Sequence, residues 1–300
     1  MKSIAVIGSV NIDNTTYIDR MPGPGETIIG QNFLSNIGGK GANQACAAFL
    51  LGANIKFFCS VGNDDNGLKI RRFFEAINLN VSIKNSESIT GTATIIVNTQ
   101  SAENRIVVIP GANSDINDKD VDTWEDDLKH SDILIMQLEN PVETVYYALK
   151  KAKENGLITI LNPAPYHKLD EENFKFIDFF IPNEHEIEQF VPNSIAKSYE
   201  QKAKFLLSKG IKNIIVTLGE KGSILANDDG IDYINAFKVN AVDTTAAGDC
   251  FCGAFATGLA EGKSISESIH FASKASAIAV TRKGAISSLP RMDEVIGLVD

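Results

Sequence analysis

From residue 132 to residue 218, short apolar runs alternate with longer amphipathic segments. The apolar runs lie at 133–137, 157–161, 179–181 and 213–218, and segments with helical spacing lie at 142–155 and 197–209. Unbroken apolar runs are typical of strands buried on both faces, and alternation with helices indicates that the strands pair in parallel. We therefore predict an α/β fold, with a Rossmann-like parallel sheet covered by helices on both faces.

The rest of the chain extends this pattern. Apolar, β-branched runs predict further strands at 4–8 and 55–61, and helical spacing predicts helices at 45–51, 64–77 and 265–280, with others starting at 248 and 291. Residues 222–239 are rich in strand-forming residues and predict antiparallel edge strands. The large sheet is thus expected to end in a short antiparallel border.

Two other segments have the pattern of a sheet with one solvated face. Residues 15–33 alternate around a turn at 22–25, and residues 92–98 and 105–109 are short strand-like runs. We predict that 15–35 and 91–110 form a small inserted β-sheet, and that 1–14, 36–90 and 111–300 form the α/β domain. A small sheet over an α/β domain is a candidate lid.

Charge and composition restrict the class of partner. The chain has 300 residues, 44% of them hydrophobic, and its 28 Lys and Arg against 38 Asp and Glu give a net charge of −10. This balance argues against binding to nucleic acid or to anionic membranes. The sequence contains no apolar run of membrane-spanning length and its start lacks a signal-peptide pattern, so we expect a cytoplasmic protein. The four cysteines form no C-x-x-C pair, which predicts reduced thiols.

Polar residues follow four of the predicted strands. These residues are Asn11 and Asp13, Glu139, Asn162, and Asn183 with Glu186. The carboxyl ends of parallel strands share one edge of the sheet, so we expect these side chains to converge there. Each position alone could be an ordinary loop or cap residue. Together they suit a ligand with many hydroxyl groups.

The stretch VDTTAAGDCFCG at 242–253 combines an anion-binding turn with a carboxylate. Ala246, Ala247 and Gly248 precede Asp249, and Phe251 begins an apolar face with helical spacing. Unpaired N–H groups and the dipole at a helix start favour an anion such as phosphate. A neighbouring carboxylate can take a proton from a hydroxyl group. An ordinary acidic first helical turn is the alternative interpretation.

Two glycine-rich turns complete the pattern. Residues 38–43 read GGKGAN, which is not a Walker loop, and residues 217–222 read TLGEKG after a predicted strand. Glycines at such turns allow close approach of a ligand to the main chain. The first strand is not followed by G-x-G-x-x-G, which argues against a dinucleotide oxidoreductase.

In these motifs the chain resembles the ribokinase-like (PfkB-type) sugar kinases along nearly its whole length. The resemblance rests on GSVNID at 8–13, GGKGANQA at 38–45, MQLE at 136–139, LNPAP at 161–165, PNEHE at 182–186, TLGEKG at 217–222, DTTAAGD at 243–249 and TRKGA at 281–285. It implies a ribokinase-like fold and ATP-dependent phosphorylation of D-ribose at its 5-hydroxyl. It also implies a requirement for Mg²⁺, activation by K⁺, and a homodimer formed through the lid sheet.

The resemblance also implies roles for individual residues. Asp249 would be the base, and Ala246, Ala247 and Gly248 would form the anion hole. The sugar would be held by Asn11, Asp13, Gly39, Lys40, Gly41, Ala42, Asn43, Glu139 and Asp249. ATP and its Mg²⁺ would be held by Asn183, Glu186, Thr217, Leu218, Gly219, Glu220, Lys221, Gly222, Gly248 and Ser273. The K⁺ ligands would be Asp243, Thr245, Ala279, Arg282, Gly284 and Ser288.

Two other functions stay open at this point. One is a related kinase of the same family that acts on deoxyribose, fructose or adenosine. The other is a non-catalytic sugar- or nucleotide-binding regulator built on the same fold. The presence of Asp249 with its anion-hole residues weighs against the regulator.

Overall fold

The computed structural model describes residues 2–101 and 103–298. The strands are β1 (Ser3–Ile7), β2 (Asn11–Ile18), β3 (Asn32–Gly38), β4 (Asn54–Gly62), β5 (Val81–Ser86), β6 (Thr92–Asn98), β7 (Asn104–Ile109), β8 (Ile133–Met136), β9 (Ile158–Leu161), β10 (Phe179–Phe180), β11 (Asn213–Thr217), β12 (Ser223–Asn227) and β13 (Gly230–Ile234). The α-helices are α1 (Lys40–Leu50), α2 (Asp65–Ala76), α3 (Asp118–Thr123), α4 (Glu125–Lys129), α5 (Val142–Glu154), α6 (Glu184–Phe190), α7 (Tyr199–Leu207), α8 (Ala247–Ala260), α9 (Ile265–Ala279) and α10 (Met292–Gly297).

Across the described residues, the larger sheet has nine strands in the order β13-β12-β11-β10-β9-β8-β1-β4-β5. The strands from β11 to β5 are parallel, whereas β12 and β13 form the antiparallel border. At the centre, Val6 of β1 pairs with Phe57 of β4 and with Ile135 of β8. The predicted α/β fold is therefore confirmed. The chain runs outward from β1 in both directions, so the strand order switches between β1 and β8, where open α/β sheets bind ligands.

The two faces of the larger sheet pack against separate apolar layers. Ile4 and Val6 contribute to the layer that contains α1, α8 and α9, and Ala5 and Ile7 contribute to the layer that contains α5 and α7. Successive side chains of a strand point to opposite faces, which explains this division within one apolar run. Both layers keep the central strands out of water and hold their carboxyl ends rigid.

The smaller sheet has the order β3-β2-β6-β7. Strand β2 pairs with β3 antiparallel and with β6 in parallel, and β7 is exposed along its length. Strand β2 begins at Asn11 and strand β3 ends at Gly38, so both extend beyond the predicted segment 15–35. The division of the chain into an α/β domain and a lid stays a prediction.

Several local predictions were incomplete. Helix α1 begins at Lys40 instead of residue 45, and strand β5 and helices α3, α4 and α6 were missed. Strand β5 reads VSIKNS and pairs with only one neighbour at the sheet edge, so it lacks the apolar run of a central strand. Among residues 2–101 and 103–298, no helix combines the length and the apolar content that a bilayer-spanning helix requires.

Candidate active site

The first part of the site lies where β1 and β8 end side by side. The hydroxyl of Ser9 donates to Oε2 of Glu139, and the main-chain N–H of Lys40 donates to the same oxygen over 3.0 Å. These contacts join the end of β1, the start of α1 and the segment after β8. The topological switch point is thus occupied by a carboxylate that is held by two donors.

Asn11 and Asp13 follow the carboxyl end of β1, where the sequence predicts polar residues. Both belong to β2, the first strand of the smaller sheet. Asn11 is buried, and its Oδ1 accepts a hydrogen bond from Asn113 Nδ2 over 2.7 Å. Asn113 also exchanges hydrogen bonds with the main chain of Val10. The amide of Asn113 therefore fixes the point at which the chain enters the smaller sheet.

A close packing of glycines explains why α1 starts so early. Gly39 precedes the helix with φ of 92°, a conformation that glycine adopts without strain. A β-carbon on Gly41 would lie 2.6 Å from the Cα of Gly8, so α1 can approach the end of β1 only because both residues are glycine. Residues 40–43 of the GGKGAN motif thus form the first turn of α1, whereas Gly38 ends β3 and Gly39 joins the two, so the motif does not lie wholly before the helix as predicted.

Asp249 lies in the first turn of α8. Ala246 precedes this turn in the left-handed conformation, with φ of 59°. The carboxylate of Asp249 is 6% exposed and accepts hydrogen bonds from Asn43 Nδ2 over 2.9 Å and from Gln44 Nε2 over 3.0 Å. The candidate base and the candidate sugar-binding motif therefore meet directly, although 206 residues separate Asn43 from Asp249.

Acidic groups surround one lysine at this point. Burial, reinforced by the carboxylates of Glu139 and Asp249, raises the pKa of Asp13 to about 6. Burial would lower the pKa of Lys40, but Asp249, Glu139 and Glu186 together raise it above its ordinary value. The neighbouring carboxylates therefore stabilise the positive charge of Lys40 in a pocket that is otherwise acidic.

A cavity of about 180 Å³ opens in front of Asp249. It brings together eight of the residues predicted from the sequence, which are Lys40, Asn183, Glu186, Thr217, Ala246, Ala247, Gly248 and Asp249. It is also lined by Asn162, noted above as a polar strand-end residue, and by Ile181, Thr244 and Cys252, which the sequence did not indicate. The predicted base and the predicted phosphate-binding residues thus share one small, polar space.

The main-chain N–H groups of the turn before Asp249 are not equivalent. The N–H of Ala247 donates to the carbonyl oxygen of Thr244 over 3.2 Å. Gly248 is exposed, and a β-carbon built on it would meet no heavy atom within 4 Å. Gly248 therefore faces open space, whereas the N–H of Ala247 already has an acceptor.

Asn183 and Glu186 form a capping box at the start of α6. Asn183 Oδ1 accepts from the N–H of Glu186 over 2.8 Å, and Oε2 of Glu186 accepts from the N–H of Asn183 over 2.9 Å. Burial is the main reason why the pKa of Glu186 is raised above its ordinary value. Asn183 also bridges to Thr217, which places α6 beside the predicted nucleotide-binding turn.

The turn from Thr217 to Gly222 is built for close contact with β13. Gly222 has φ of 92°, and a β-carbon there would overlap the carbonyl oxygen of Ile234. Beyond Ile234 a cavity of about 660 Å³ lies against α9 and is lined by Phe237 and His270, whose rings meet at 5.0 Å between centroids. Ser273 follows His270 by one turn of α9 and is partly exposed. The sequence did not indicate this larger cavity, because the loop that forms it has no periodic pattern.

The predicted K⁺ ligands lie on two loops that bond to one another. Oδ2 of Asp243 accepts from the N–H of Gly284 over 2.9 Å, and its Oδ1 accepts from the N–H and hydroxyl of Thr245 over 2.9 and 2.7 Å. Burial opposes the charge on Asp243, but these hydrogen bonds outweigh it and lower the pKa. The carbonyl oxygen of Ala279 accepts from the N–H of Arg282, whose guanidinium pairs with Glu294. Carboxylate, hydroxyl and carbonyl oxygens are suitable ligands for a hard cation.

Comparison with known proteins places the chain in a family. The family model described as pfkB family carbohydrate kinase matches residues 1–292. The chain belongs to the PfkB family of carbohydrate kinases. The resemblance inferred from the motifs is therefore confirmed.

Two relatives and one solved structure are similar to this chain over nearly its whole length. A ribokinase of Haemophilus influenzae is 40% identical over 303 residues, which cover 100% of this chain and 99% of the relative. A deoxyribokinase of Salmonella typhi is 38% identical over 296 residues, which cover 97% of this chain and 96% of the relative. The structure of an Arabidopsis thaliana ribokinase complexed with ribose and ATP has a TM-score of 0.88 and 29% identity, covering 98% of this chain and 97% of that chain.

Proposed function

We propose that the protein transfers the terminal phosphoryl group of ATP to O5 of D-ribose, giving D-ribose 5-phosphate and ADP. The observation that carries the proposal is the position of Asp249. Its buried carboxylate contacts Asn43 of the glycine-rich motif and faces the cavity that Lys40, Asn183 and Glu186 share. The ribokinases among the similar proteins, one of them complexed with ribose and ATP, support this substrate pair.

In this proposal Asp249 acts as the general base. It takes the proton from the 5-hydroxyl as the oxygen attacks the phosphoryl group. The remaining sugar hydroxyls are bound by Asn11, Asp13, Gly39, Lys40, Gly41, Ala42, Asn43 and Glu139. Several of these residues converge on the ends of β1 and β8, and Asn43 touches the base itself. Holding the sugar there places its reacting hydroxyl at Asp249, and such positioning is the main contribution that an enzyme makes to phosphoryl transfer.

ATP is proposed to bind between the turn from Thr217 to Gly222 and α9. The cavity of about 660 Å³ beside Ile234 is large enough for a base, and its Phe237 and His270 rings offer surfaces for stacking. The turn itself is formed by Leu218, Gly219, Glu220 and Lys221. Ser273 belongs to α9. The phosphates then extend toward Gly248, which lies at the start of α8 and faces open space.

The anion hole is proposed to consist of the turn formed by Ala246, Ala247 and Gly248. Gly248 offers the most accessible N–H, and the N–H of Ala247 would have to leave Thr244 to take part. Lys40 adds a positive charge to the same cavity. These groups can stabilise the charge that spreads over the transferring phosphoryl group.

Mg²⁺ is proposed to be held mainly through the phosphates, with Glu186 and Asn183 nearby. Within the described residues, no group of three or more His, Cys, Asp or Glu side chains is arranged to hold a metal. In the usual Mg²⁺ site of a kinase, one or two carboxylates and substrate phosphates share the ion with water, and Glu186 would supply the carboxylate here. Bound there, Mg²⁺ would neutralise phosphate charge.

K⁺ is proposed to bind between the loops that carry Asp243 and Gly284. The contacts of Asp243 with Thr245 and Gly284 hold the oxygen-rich segments side by side, and Ala279, Arg282 and Ser288 belong to the same region. A cation bound there would add a positive field next to the turn that starts α8.

A homodimer is proposed to form through the smaller sheet. Phe33, Leu34, Ile106, Val107, Val108 and Ile109 are all at least 43% exposed on its strands β3 and β7. Because successive side chains of a strand point to opposite faces, these apolar residues divide between the two faces of the smaller sheet. Exposed apolar residues of this kind indicate a protein contact, and a second copy of the sheet would cover one of the faces. The role of this sheet as a lid and the cytoplasmic location stay predictions.

The second candidate is a kinase of the same family with another acceptor. The deoxyribokinase relative is nearly as similar as the ribokinase relative, so 2-deoxyribose is the acceptor to compare first. Fructose and adenosine are the other acceptors considered. A non-catalytic regulator is disfavoured by the direct contact of Asn43 with Asp249, a residue that lines the cavity.

The test is sugar-dependent ADP release over a panel of ribose, 2-deoxyribose, fructose and adenosine, with and without K⁺. The proposal expects the highest kcat/KM with ribose. It also expects that Asp249→Asn lowers kcat by roughly 10²- to 10⁴-fold, the usual size of a general-base contribution. A higher kcat/KM with another acceptor would show that this acceptor is the preferred substrate. A parent-like rate for Asp249→Asn would show that Asp249 is not the base.

A further inference from the structure

Asp249 is held by a second amide that lies outside the proposed sugar-binding set. Gln44 Nε2 donates to Oδ1 of Asp249 over 3.0 Å, while Asn43 donates to the other oxygen, Oδ2. Gln44 is fully buried in the first turns of α1, so it lies behind the carboxylate and not in the cavity. Each oxygen of an ionised carboxylate can accept two hydrogen bonds, so both retain a free acceptor position.

The contact of Gln44 extends to a third buried amide. Gln137, at the end of β8, donates from Nε2 to Oε1 of Gln44 over 2.7 Å. An ionised carboxylate only accepts hydrogen bonds, so Gln44 must present its N–H to Asp249 and its oxygen to Gln137. Gln137 must then present its own N–H. The Asp249 carboxylate thereby determines the orientation of the Gln44 amide, and the Gln44 amide determines that of Gln137.

The packing around Gln137 shows that this arrangement costs stability. Gln137 Oε1 is buried and receives no hydrogen bond within the described part of the chain. A β-carbon on Gly8 would overlap this oxygen, so the first strand leaves room for it. A buried amide with an unpaired oxygen is less favourable than an apolar side chain of similar shape, which makes a purely stabilising role for Gln137 a poor explanation.

We propose that Gln44 is a positioning residue for the base Asp249, and that Gln137 positions Gln44. The inference rests on the proposed function, in which Asp249 takes the sugar proton. Neither amide lines the cavity, but Asn43 keeps 6% of its surface exposed and belongs to the proposed sugar-binding set, whereas Gln44 is fully buried. Asn43 is therefore expected to turn toward a sugar hydroxyl when substrate binds, and Gln44 to stay with the base. Gln44 therefore keeps the carboxylate in line with the attacking hydroxyl during the reaction, through Oδ1.

The experiment measures kcat and KM for sugar and ATP in Gln44→Leu, Gln137→Leu and the double variant. Gln44→Leu is expected to lower kcat about 10- to 100-fold, as a small misplacement of a catalytic group does, with both KM values within about threefold of the parent. Gln137→Leu should lower kcat less, and the double variant should be no slower than Gln44→Leu. In an Asp249→Asn background, Gln44→Leu should cause no further loss.

Thr144→Val is the matched control. It removes a buried hydrogen bond, from the Thr144 hydroxyl to the carbonyl oxygen of Ile116, at a distance from the cavity, and should lower Tm without changing kcat. A parent-like kcat for Gln44→Leu, together with an inactive Asp249→Asn, would overturn the inference and leave the proposed function intact. A parent-like Asp249→Asn would overturn both. A loss confined to KM, an equal loss of kcat in Thr144→Val, or a further loss in the Asp249→Asn background would also overturn the inference.

Discussion

The carboxylate of Asp13 lies directly over the main chain of Gly38 on the neighbouring strand. A β-carbon at Gly38 would overlap both the carboxyl carbon and Oδ2 of Asp13. The two residues belong to successive same-face positions of the β2–β3 ladder, in which Asp13 pairs with Asn36 and Gly38 pairs with Asn11. Because residue 38 is glycine, the Asp13 carboxylate can pack against the main chain of β3, where a side chain at position 38 would displace it. This packing is part of the burial that raises the pKa of Asp13.

The first prediction concerns pH and stability at Asp13. Its pKa is about 6 in the folded protein, raised by burial and by the neighbouring carboxylates, against an ordinary value of 3.8. The folded state therefore favours the protonated form. The contribution of Asp13 to stability is complete below pH 4 and is lost as pH rises from 4 through 6, by about 3 kcal/mol in all.

Asp13→Asn tests this directly, because an amide of the same shape carries no charge. Urea unfolding at pH 4, 5, 6 and 7 should show that the variant gains stability relative to the parent as pH rises, although it binds sugar poorly. The difference between the two proteins cancels the titration of the other groups. A constant difference across this range would show that Asp13 is not held in an unfavourable charged state.

The second prediction concerns Gly222 and ATP. In Gly222→Ala the new methyl group would overlap the carbonyl oxygen of Ile234 and lie 2.8 Å from the N–H nitrogen of Ala236, at a positive φ. We expect a stability loss of about 2 kcal/mol or more and a KM for ATP raised at least about tenfold in the folded fraction, with a smaller change in sugar KM. Steady-state kinetics with each substrate varied in turn measures the split.

Gly230→Ala is the control for the strain of a positive φ. Gly230 belongs to the same antiparallel hairpin with φ of 135°, but a β-carbon there would meet no heavy atom within 4 Å. It should lower Tm and leave the KM for ATP unchanged. If the two variants raised that KM equally, the turn at Gly222 would have no specific role in nucleotide binding.

The third prediction concerns Asp243 and monovalent cations. Asp243→Asn keeps the size of the side chain but removes its charge and places an amide N–H opposite a donor, either Gly284 or Thr245. We expect the parent to be several-fold faster in K⁺ than in tetramethylammonium, and this ratio to fall to about 1 in the variant. The exposed Asp229→Asn should keep the parent ratio. An equal rate of the parent enzyme in both salts would argue against a K⁺ site.

The fourth prediction concerns the surface of the smaller sheet. Val107 on β7 is 65% exposed, and Val107→Lys would place a charge in the proposed contact between two copies. Light scattering after size-exclusion chromatography should give the mass of a dimer for the parent and of a monomer for the variant. Ile296→Lys changes a side chain that is 74% exposed on α10 and should leave the mass unchanged. A monomeric parent would rule out the dimer.

The fold and the meeting of Asp249 with Asn43 could be predicted because both depend on regular elements. Apolar runs at the central strands mark the parallel sheet, and helix starts at its edge bring the two motifs together. The early start of α1 could not be read from periodicity, since it depends on the φ of Gly39 and on the contact between Gly8 and Gly41. Those are properties of the packed molecule.

Other parts of the site escaped prediction for a related reason. Gln44 and Gln137 are single amides inside apolar segments, and nothing in their spacing shows that each finds the other across 93 residues. Asn113 and Phe237 act from irregular segments that have no repeating pattern. The motifs that carry the resemblance to known kinases include Gln44 and Gln137, but the resemblance supplied no role for either residue.

Strand β2 carries Asn11 and Asp13, so two of the groups proposed to grip the sugar are components of the smaller sheet itself. A shift of that sheet would therefore move two of the nine residues that are proposed to bind the sugar. If the sheet moves during turnover, the same motion would open the cleft and weaken the binding of the sugar phosphate. A cross-link that holds the sheet in place would then prevent release of the product.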